Sequence, residues 1–333
     1  MTGAPAADVG EPLFAVACRH VLAYLHEHVP MGMWGVSRVE NGRQTYLAVQ
    51  DPSNQGQVGA WHEWESSFCV HMAAGTAPAV ASDAQAVPLY AAAPVNDAKT
   101  IGSYAGAVIS DIDGSLFGVI CGTDPAVKGP DLARVEPLLV LLSRLLTTAL
   151  IADRQANALT RLALQARLTA DIDQLSGVYS RGAWGRLLEE EASFYAQLAD
   201  PTAIVVIDLD GLKLTNDEQG HAAGDELIRR AAGAISLAVR GHDPVARLGG
   251  DEFGVLLRDC TAEAALERVV AIRHSLAEAG VHASLGVASA VPDSGLLGAQ
   301  RQADQAMYEE KRIRRRERRS EPRYGVAGDV NGG

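Results

Sequence analysis

Ala246-Arg247-Leu248-Gly249-Gly250-Asp251-Glu252-Phe253-Gly254-Val255-Leu256-Leu257 places two glycines and two adjacent carboxylates between apolar runs. The pattern predicts a strand, a tight turn and a second strand. Glycine allows backbone angles that a side chain forbids, and it lets a bulky ligand approach the main chain. Successive strand residues face opposite ways, so Asp251 and Glu252 are expected to do different jobs. Alone, the motif reads better as an ordinary glycine hairpin with no catalytic role, and its neighbours decide between the two readings.

Upstream, Ala203-Ile204-Val205-Val206-Ile207 is a continuous apolar run, the mark of a strand buried on both faces. It leads into Asp208-Leu209-Asp210-Gly211-Leu212-Lys213. A carboxylate at the end of a buried strand, before a glycine-containing loop, suits a hard cation and phosphate oxygens. The alternative is a carboxylate that caps a turn. Next comes Asn216-Asp217-Glu218-Gln219-Gly220-His221-Ala222-Ala223-Gly224-Asp225, opening a helix expected to run through Arg240. Asp225 suits the N-cap of that helix and Asn216 a turn. An amide and a carboxylate are also the groups that read a guanine edge.

These blocks resemble the GGDEF family, the catalytic domain of diguanylate cyclases, over about residues 171 to 320. Asp173-Gln174-Leu175-Ser176-Gly177 is similar to the family's leading motif, with Ser where Thr is usual. Leu212 stands where Phe is usual. Ser284 to Ala288 and Ala303 to Lys311 resemble the last strand and helix. Six such blocks in order are far more specific than any one of them. The resemblance implies an α/β sandwich on a mainly antiparallel sheet, similar to polymerase palms and class III nucleotide cyclases. It implies condensation of two GTP into cyclic di-GMP with release of two pyrophosphates, across a homodimer. Asp208, the Leu209 carbonyl, Glu252 and Asp251 would ligate Mg²⁺ or Mn²⁺. Asp251 and Glu252 would be catalytic, with Asp251 a candidate to take the ribose 3′-OH proton. Lys213, Lys311 and Arg315 would hold phosphates, with Gly211 and Leu212 beside them. Asn216 and Asp225 would select guanine, and Gly249 and Gly250 would admit the nucleotide. The family's usual Gly-Arg is Arg314-Arg315 here. Arg240-Gly241-His242-Asp243 resembles the family's product-inhibition site, with Arg240 and Asp243 binding cyclic di-GMP. A silent receptor for GTP or cyclic di-GMP would carry much of the same pattern. The intact Asp251-Glu252 pair, Asp208 and Lys311 favour the enzyme.

The N-terminal half reads differently. Phe14 to His28 has helical apolar spacing. Met33 to Val39 and Thr45 to Val49 flank Asn41-Gly42, a hairpin signal. Gln50 to Lys99 reads as loops with one short helix near Phe68 to Ala74. Ser103 to Ile109 and Leu116 to Gly122 form a second hairpin pattern. Ile101 to Gly106 with Asp113 to Cys121 resembles a GAF domain, which implies an antiparallel sheet with flanking helices and a small-ligand pocket of unknown occupant. Cys69 and His71 are read as a core thiol and a neighbouring histidine rather than chromophore or haem ligands. From Val135 to Ala170 the pattern is one long helix. Leu145, Ala149, Ala152, Ala156, Leu159, Ala163, Ala166 and Ala170 step by fours and threes, which predicts a weak coiled-coil seam.

The expected organisation is a disordered start (1–11), a GAF sensor (12–136), a helical linker (137–170), a GGDEF domain (171–319) and a flexible tail (320–333). The overall class is α/β, more narrowly α+β. The 333 residues carry a net charge of -12, which argues against a nucleic-acid partner, despite the basic run Lys311 to Arg319. The four cysteines form no CxxC pair and are read as buried thiols. The apolar run Leu138 to Ile151 is interrupted by Ser143 and Arg144, so membrane insertion is not expected and a cytoplasmic location is.

Overall fold

The computed structural model describes residues 11–53 and 56–320. The expectations for the extreme termini fall outside them. The chain forms two compact units, one of residues up to 167 with 193–200, the other of 168–192 and 201 onward. Both mix helices with an antiparallel sheet, the α/β class read from the sequence.

The first unit contains α1 (Leu13–His28), β1 (Met33–Glu40), β2 (Arg43–Gln50), β3 (Trp61–Glu63), α2 (Phe68–Ala73), β4 (Val80–Ala81), α3 (Pro88–Ala91), β5 (Ser103–Ser110), β6 (Leu116–Asp124) and α4 (Glu136–Arg167). Its sheet runs β3-β2-β1-β6-β5-β4. Asn41 and Gly42 both take positive φ, 50° and 71°, so the β1–β2 turn is of the twisted kind that Asn-Gly favours. The stretch from 50 to 99 is richer than expected. Besides α2 it supplies the short strands β3 and β4 and the helix α3. Such two- and three-residue strands carry too little periodicity to be seen in sequence. One core cluster joins α1 and α4 to the sheet through Phe14, Leu22, Leu139 and Leu146. A second joins α2 and α3 through Phe68, Cys69, Tyr90 and Tyr104. Helix α1 has no side-chain cap from its own N-terminal neighbours; instead Asp153 of α4 accepts from Leu13 N at 3.0 Å and Phe14 N at 2.7 Å. All four cysteines are buried and free.

The seam expected on α4 needs a correction. It passes through Ala149, which is packed in the core with Leu146 and Leu150. The large apolar side chains left exposed on this helix are Val140, Leu141, Leu145, Leu159 and Leu162. By length and composition the stretch Pro130–Arg167 is also able to cross a membrane, although Leu139, Leu146 and Leu150 are fully buried inside the unit.

The second unit holds most of α5 (Arg181–Leu198), then β7 (Ala203–Leu209), α6 (Leu212–Gln219), α7 (His221–Ala238), β8 (Val245–Arg247), β9 (Glu252–Leu257), α8 (Ala262–Glu278), β10 (Ala283–Ser289) and α9 (Gly295–Ser320). Its sheet runs β10-β7-β9-β8, with every pair antiparallel. β7 is central and buried along its whole length. Val205, Ile207 and Leu209 pack with α7 and α8. The opposite face takes α9 and α5. Helix α9 comes so near β10 that a Cβ on Gly286 would lie 2.1 Å from the Ala303 carbonyl oxygen. Trp184 of α5 lies over Gly254, 2.9 Å from where its Cβ would be. These bare glycines let α9 run flat along the sheet and bring its basic end to the end of β7.

Candidate functional site

The antiparallel register places Asp208, near the end of β7, directly opposite Glu252, the first residue of β9. Directly opposed residues share a sheet face with Cβ atoms about 5 Å apart. Asp208 is buried, and Lys311 of α9 reaches it, with Nζ 2.5 Å from the carboxylate. Burial pushes the Asp208 carboxyl above its ordinary range, the charges of Asp251 and Glu252 push it the same way, and Lys311 opposes them. Its Oδ1 lies close to the ammonium but accepts no hydrogen bond. A buried carboxylate oxygen left in that state fits a cation ligand. Among the described residues no three His, Cys, Asp or Glu side chains converge to hold a metal. Two carboxylates, the Leu209 carbonyl and substrate oxygens suit Mg²⁺, which keeps waters and shares phosphates, better than an all-protein cage would.

The hairpin is built as expected, but its glycines work otherwise. Neither Gly249 nor Gly250 has a positive φ, so the turn does not need glycine for its backbone. A Cβ on Gly250 would meet nothing within 4 Å. What these residues provide is bare, open surface. The turn is held by Arg247, which donates to the Gly249 carbonyl (3.0 Å), the Gly250 carbonyl (2.9 Å) and Asp173 (3.2 Å). Sequence reasoning gave Arg247 no role. Its neighbourhood to the glycines was visible, but the partner 74 residues away was not.

Gly211 does need its freedom: at φ 85° it turns the chain from β7 into α6. There a cavity of about 420 Å³ opens, lined by Leu209, Gly211, Leu212, Lys213, Asp251, Lys311 and Arg315 among the expected residues. Asp210, Leu214, Asp217 and Arg314 line it as well, and none had been assigned a role. Asn216 and Asp225 do not line this cavity. Asn216 lies within α6, not in a turn, and α7 begins at His221, so Asp225 is inside that helix and not its cap. The two segments meet at Gly224, where a Cβ would lie 1.9 Å from Asn216 Oδ1. Gly224→Ala is therefore expected to displace the Asn216 amide. If that amide reads guanine, KM for GTP rises about three- to tenfold with a smaller change in kcat. Steady-state kinetics with GTP, alongside a melting curve, would check it.

The Arg240–Asp243 pair is formed, with Arg240 Nε 2.9 Å from Asp243 Oδ2. The Asp243 side chain is fully buried and also accepts from Arg258 N at 3.1 Å, whereas the Arg240 side chain is 34% exposed. Arg240 also donates to the Arg258 carbonyl. Only the arginine presents itself to solvent; the aspartate aims it. Arg258 is paired beneath with Glu191 at 2.7 Å, both side chains being buried.

Comparison with known proteins finds matches for this part of the chain. The family described as "Diguanylate cyclase, GGDEF domain" matches residues 170–317. The chain is 37% identical over 164 residues to the probable diguanylate cyclase DgcE of Escherichia coli, covering 44% of this chain and 14% of that protein. It is 31% identical over 158 residues to the diguanylate cyclase DgcP of Pseudomonas aeruginosa, covering 45% of this chain and 24% of the other. The match thus spans well under half the length of these relatives. A solved structure of a sensory box/GGDEF family protein from Caulobacter crescentus is 30% identical, covering 43% of this chain and 99% of its own, with a TM-score of 0.39. Residues 170–317 of this chain therefore match the model of the GGDEF family of diguanylate cyclase domains, just under half of the chain.

Proposed function

We propose that the chain is a cytoplasmic diguanylate cyclase that condenses two GTP into cyclic di-GMP and releases two pyrophosphates. One observation carries the reading. The Asp208–Glu252 pair stands at the end of β7, beside a cavity lined by Asp251, Lys213, Lys311 and Arg315. Asp208, Glu252 and the Leu209 carbonyl would hold Mg²⁺ or Mn²⁺. That ion would neutralise phosphate charge and lower the barrier at the α-phosphorus. Lys213, Lys311 and Arg315 bind the β- and γ-phosphates. Asp251 accepts the proton of the ribose 3′-hydroxyl, an alcohol too weak to attack until it is lost. Asn216 and Asp225 recognise guanine, since adenine would leave the carboxylate unpaired.

Each domain holds one GTP, so the reaction needs a homodimer. The exposed face of α4 supports one. Leu141, Leu145, Thr148, Ala152, Gln155, Leu159, Leu162 and Ala166 step by fours and threes, and the four leucines of this register are exposed. The first unit is assigned to a GAF-type sensor on its six-stranded antiparallel sheet with helices on both faces. Its ligand is unassigned. Product binds at Arg240, which Asp243 holds in place.

Purified full-length protein with GTP and Mg²⁺, analysed by chromatography, is expected to yield cyclic di-GMP and pyrophosphate. GTP binding without product in every oligomeric state would replace the cyclase by a receptor. Arg240→Ala is expected to raise the product concentration for half-inhibition about tenfold or more. Unchanged potency would remove the product site.

A further inference from the structure

Helix α9 brings one more cation to the cavity than the family pattern requires. Where that pattern has glycine, this chain has Arg314, and Arg314 lines the cavity with Lys311 and Arg315. Its Nε lies 2.8 Å from Glu310 Oε1, an ion pair one helical turn back. Its Nη1 reaches Asp210 only at 3.5 Å, the outer limit of a hydrogen bond. Asp210 has the Ser284 hydroxyl as a donor at 3.1 Å. Glu310 is gripped from the other side by Arg273 of α8, through two parallel bonds of 2.8 and 2.9 Å. It also accepts from Leu285 N of β10 at 3.3 Å. A bidentate pair fixes a planar carboxylate in orientation as well as position. Arg273 therefore sets Glu310, and Glu310 sets the guanidinium of Arg314 at the cavity wall. The short contact is the one behind Arg314, and the long contact is the one a ligand would replace.

We infer that Arg314 binds the polyphosphate of GTP directly, exchanging its long contact to Asp210 for phosphate oxygens, and that Arg273 and Glu310 are positioning residues that aim it. The inference rests on the cyclase reading above for its substrate. The competing role is purely structural, a staple of α9 to α8 and β10. A staple predicts lower stability with unchanged affinity for polyphosphate.

The test is calorimetric titration of the full-length chain with inorganic tripolyphosphate and with a GTP analogue methylene-bridged between the α- and β-phosphorus. Arg314→Gln is expected to weaken both ligands about tenfold or more, the loss of charge-assisted bonds. Arg314→Lys is expected to recover part of this, because a point charge remains while the fork is lost. Glu310→Gln and Arg273→Gln are expected to give smaller losses, to raise KM more than they lower kcat, and to leave Arg314 less well aimed. Melting curves on each variant separate binding from folding. Wild-type affinity for tripolyphosphate in Arg314→Gln, with or without a lower melting point, overturns the inference. A wild-type chain that binds the analogue but makes no product overturns the cyclase reading alone. A wild-type chain that binds neither ligand overturns both.

Discussion

Glu252→Gln is expected to abolish cyclic di-GMP formation, by about a thousandfold or more, without loss of fold. Glu252 is exposed at the start of β9, so no packing depends on its charge. What depends on it is the pair it makes with Asp208 across the β7–β9 ladder. An amide has the same shape but is a weaker ligand for a hard cation. An ion in such a site contributes several kcal/mol of transition-state charge stabilisation, and each 1.4 kcal/mol is a factor of ten in rate. The prediction has a binding arm that does not depend on turnover. Mn²⁺ affinity, read by paramagnetic relaxation in the presence of the methylene-bridged GTP analogue, should fall in the same variant. Full activity in Glu252→Gln with an unchanged melting point would remove the carboxylate pair from the mechanism.

The largest expected effect on stability is at Arg258. Its side chain and that of Glu191 are 2% and 1% exposed and 2.7 Å apart. Arg258→Met leaves a carboxylate in the interior without its guanidinium, which costs about 3–5 kcal/mol. The double variant Glu191→Leu with Arg258→Met removes both charges and should return most of that loss, since a well-packed apolar pair is often as stable as a buried ion pair. Urea denaturation of the three proteins closes the comparison. A single variant as stable as wild type would show that water reaches Glu191. The same substitution should loosen the proposed product site at Arg240. Arg258 Nη1 holds the His242 carbonyl at 3.2 Å, next to Asp243, and that bond is lost, whereas the Arg258 main-chain carbonyl that accepts from Arg240 remains. Weaker product inhibition in Arg258→Met is therefore expected alongside the lower stability.

Much of the fold was legible in order along the chain. The strands β1, β2, β5, β6, β7 and β9 and the helices α1 and α4 fall close to where periodicity placed them. So does the hairpin around Gly249 and Gly250. The failures are of three kinds. The strands β3 and β4 are too short to show a period. The start of α7 was misplaced because Asp225 resembles a cap, whereas Gly220 at φ 82° makes the break. The seam of α4 was drawn through Ala149 because alanine carries too little hydrophobic signal to tell a core position from a surface one.

The sequence alone determined the candidate reacting groups and their local frames. Adjacent residues fix the apolar run that buries β7 and the glycine, Gly211, that turns the chain from β7 into α6. These depend on backbone sterics and on periods of two and 3.6 residues, and both are written in neighbours. Tertiary structure alone decided which groups meet. Lys311 finds Asp208 from 103 residues away, and Arg273 finds Glu310 from 37. It decided that Asp243 is buried while Arg240 is presented. It also decided that Arg314, an unassigned residue in a basic run, lines the cavity. The physical reason is that side chains so far apart in sequence are brought together only by sheet register and helix docking. Those are set by the summed burial of the whole core, and no single segment contains that sum.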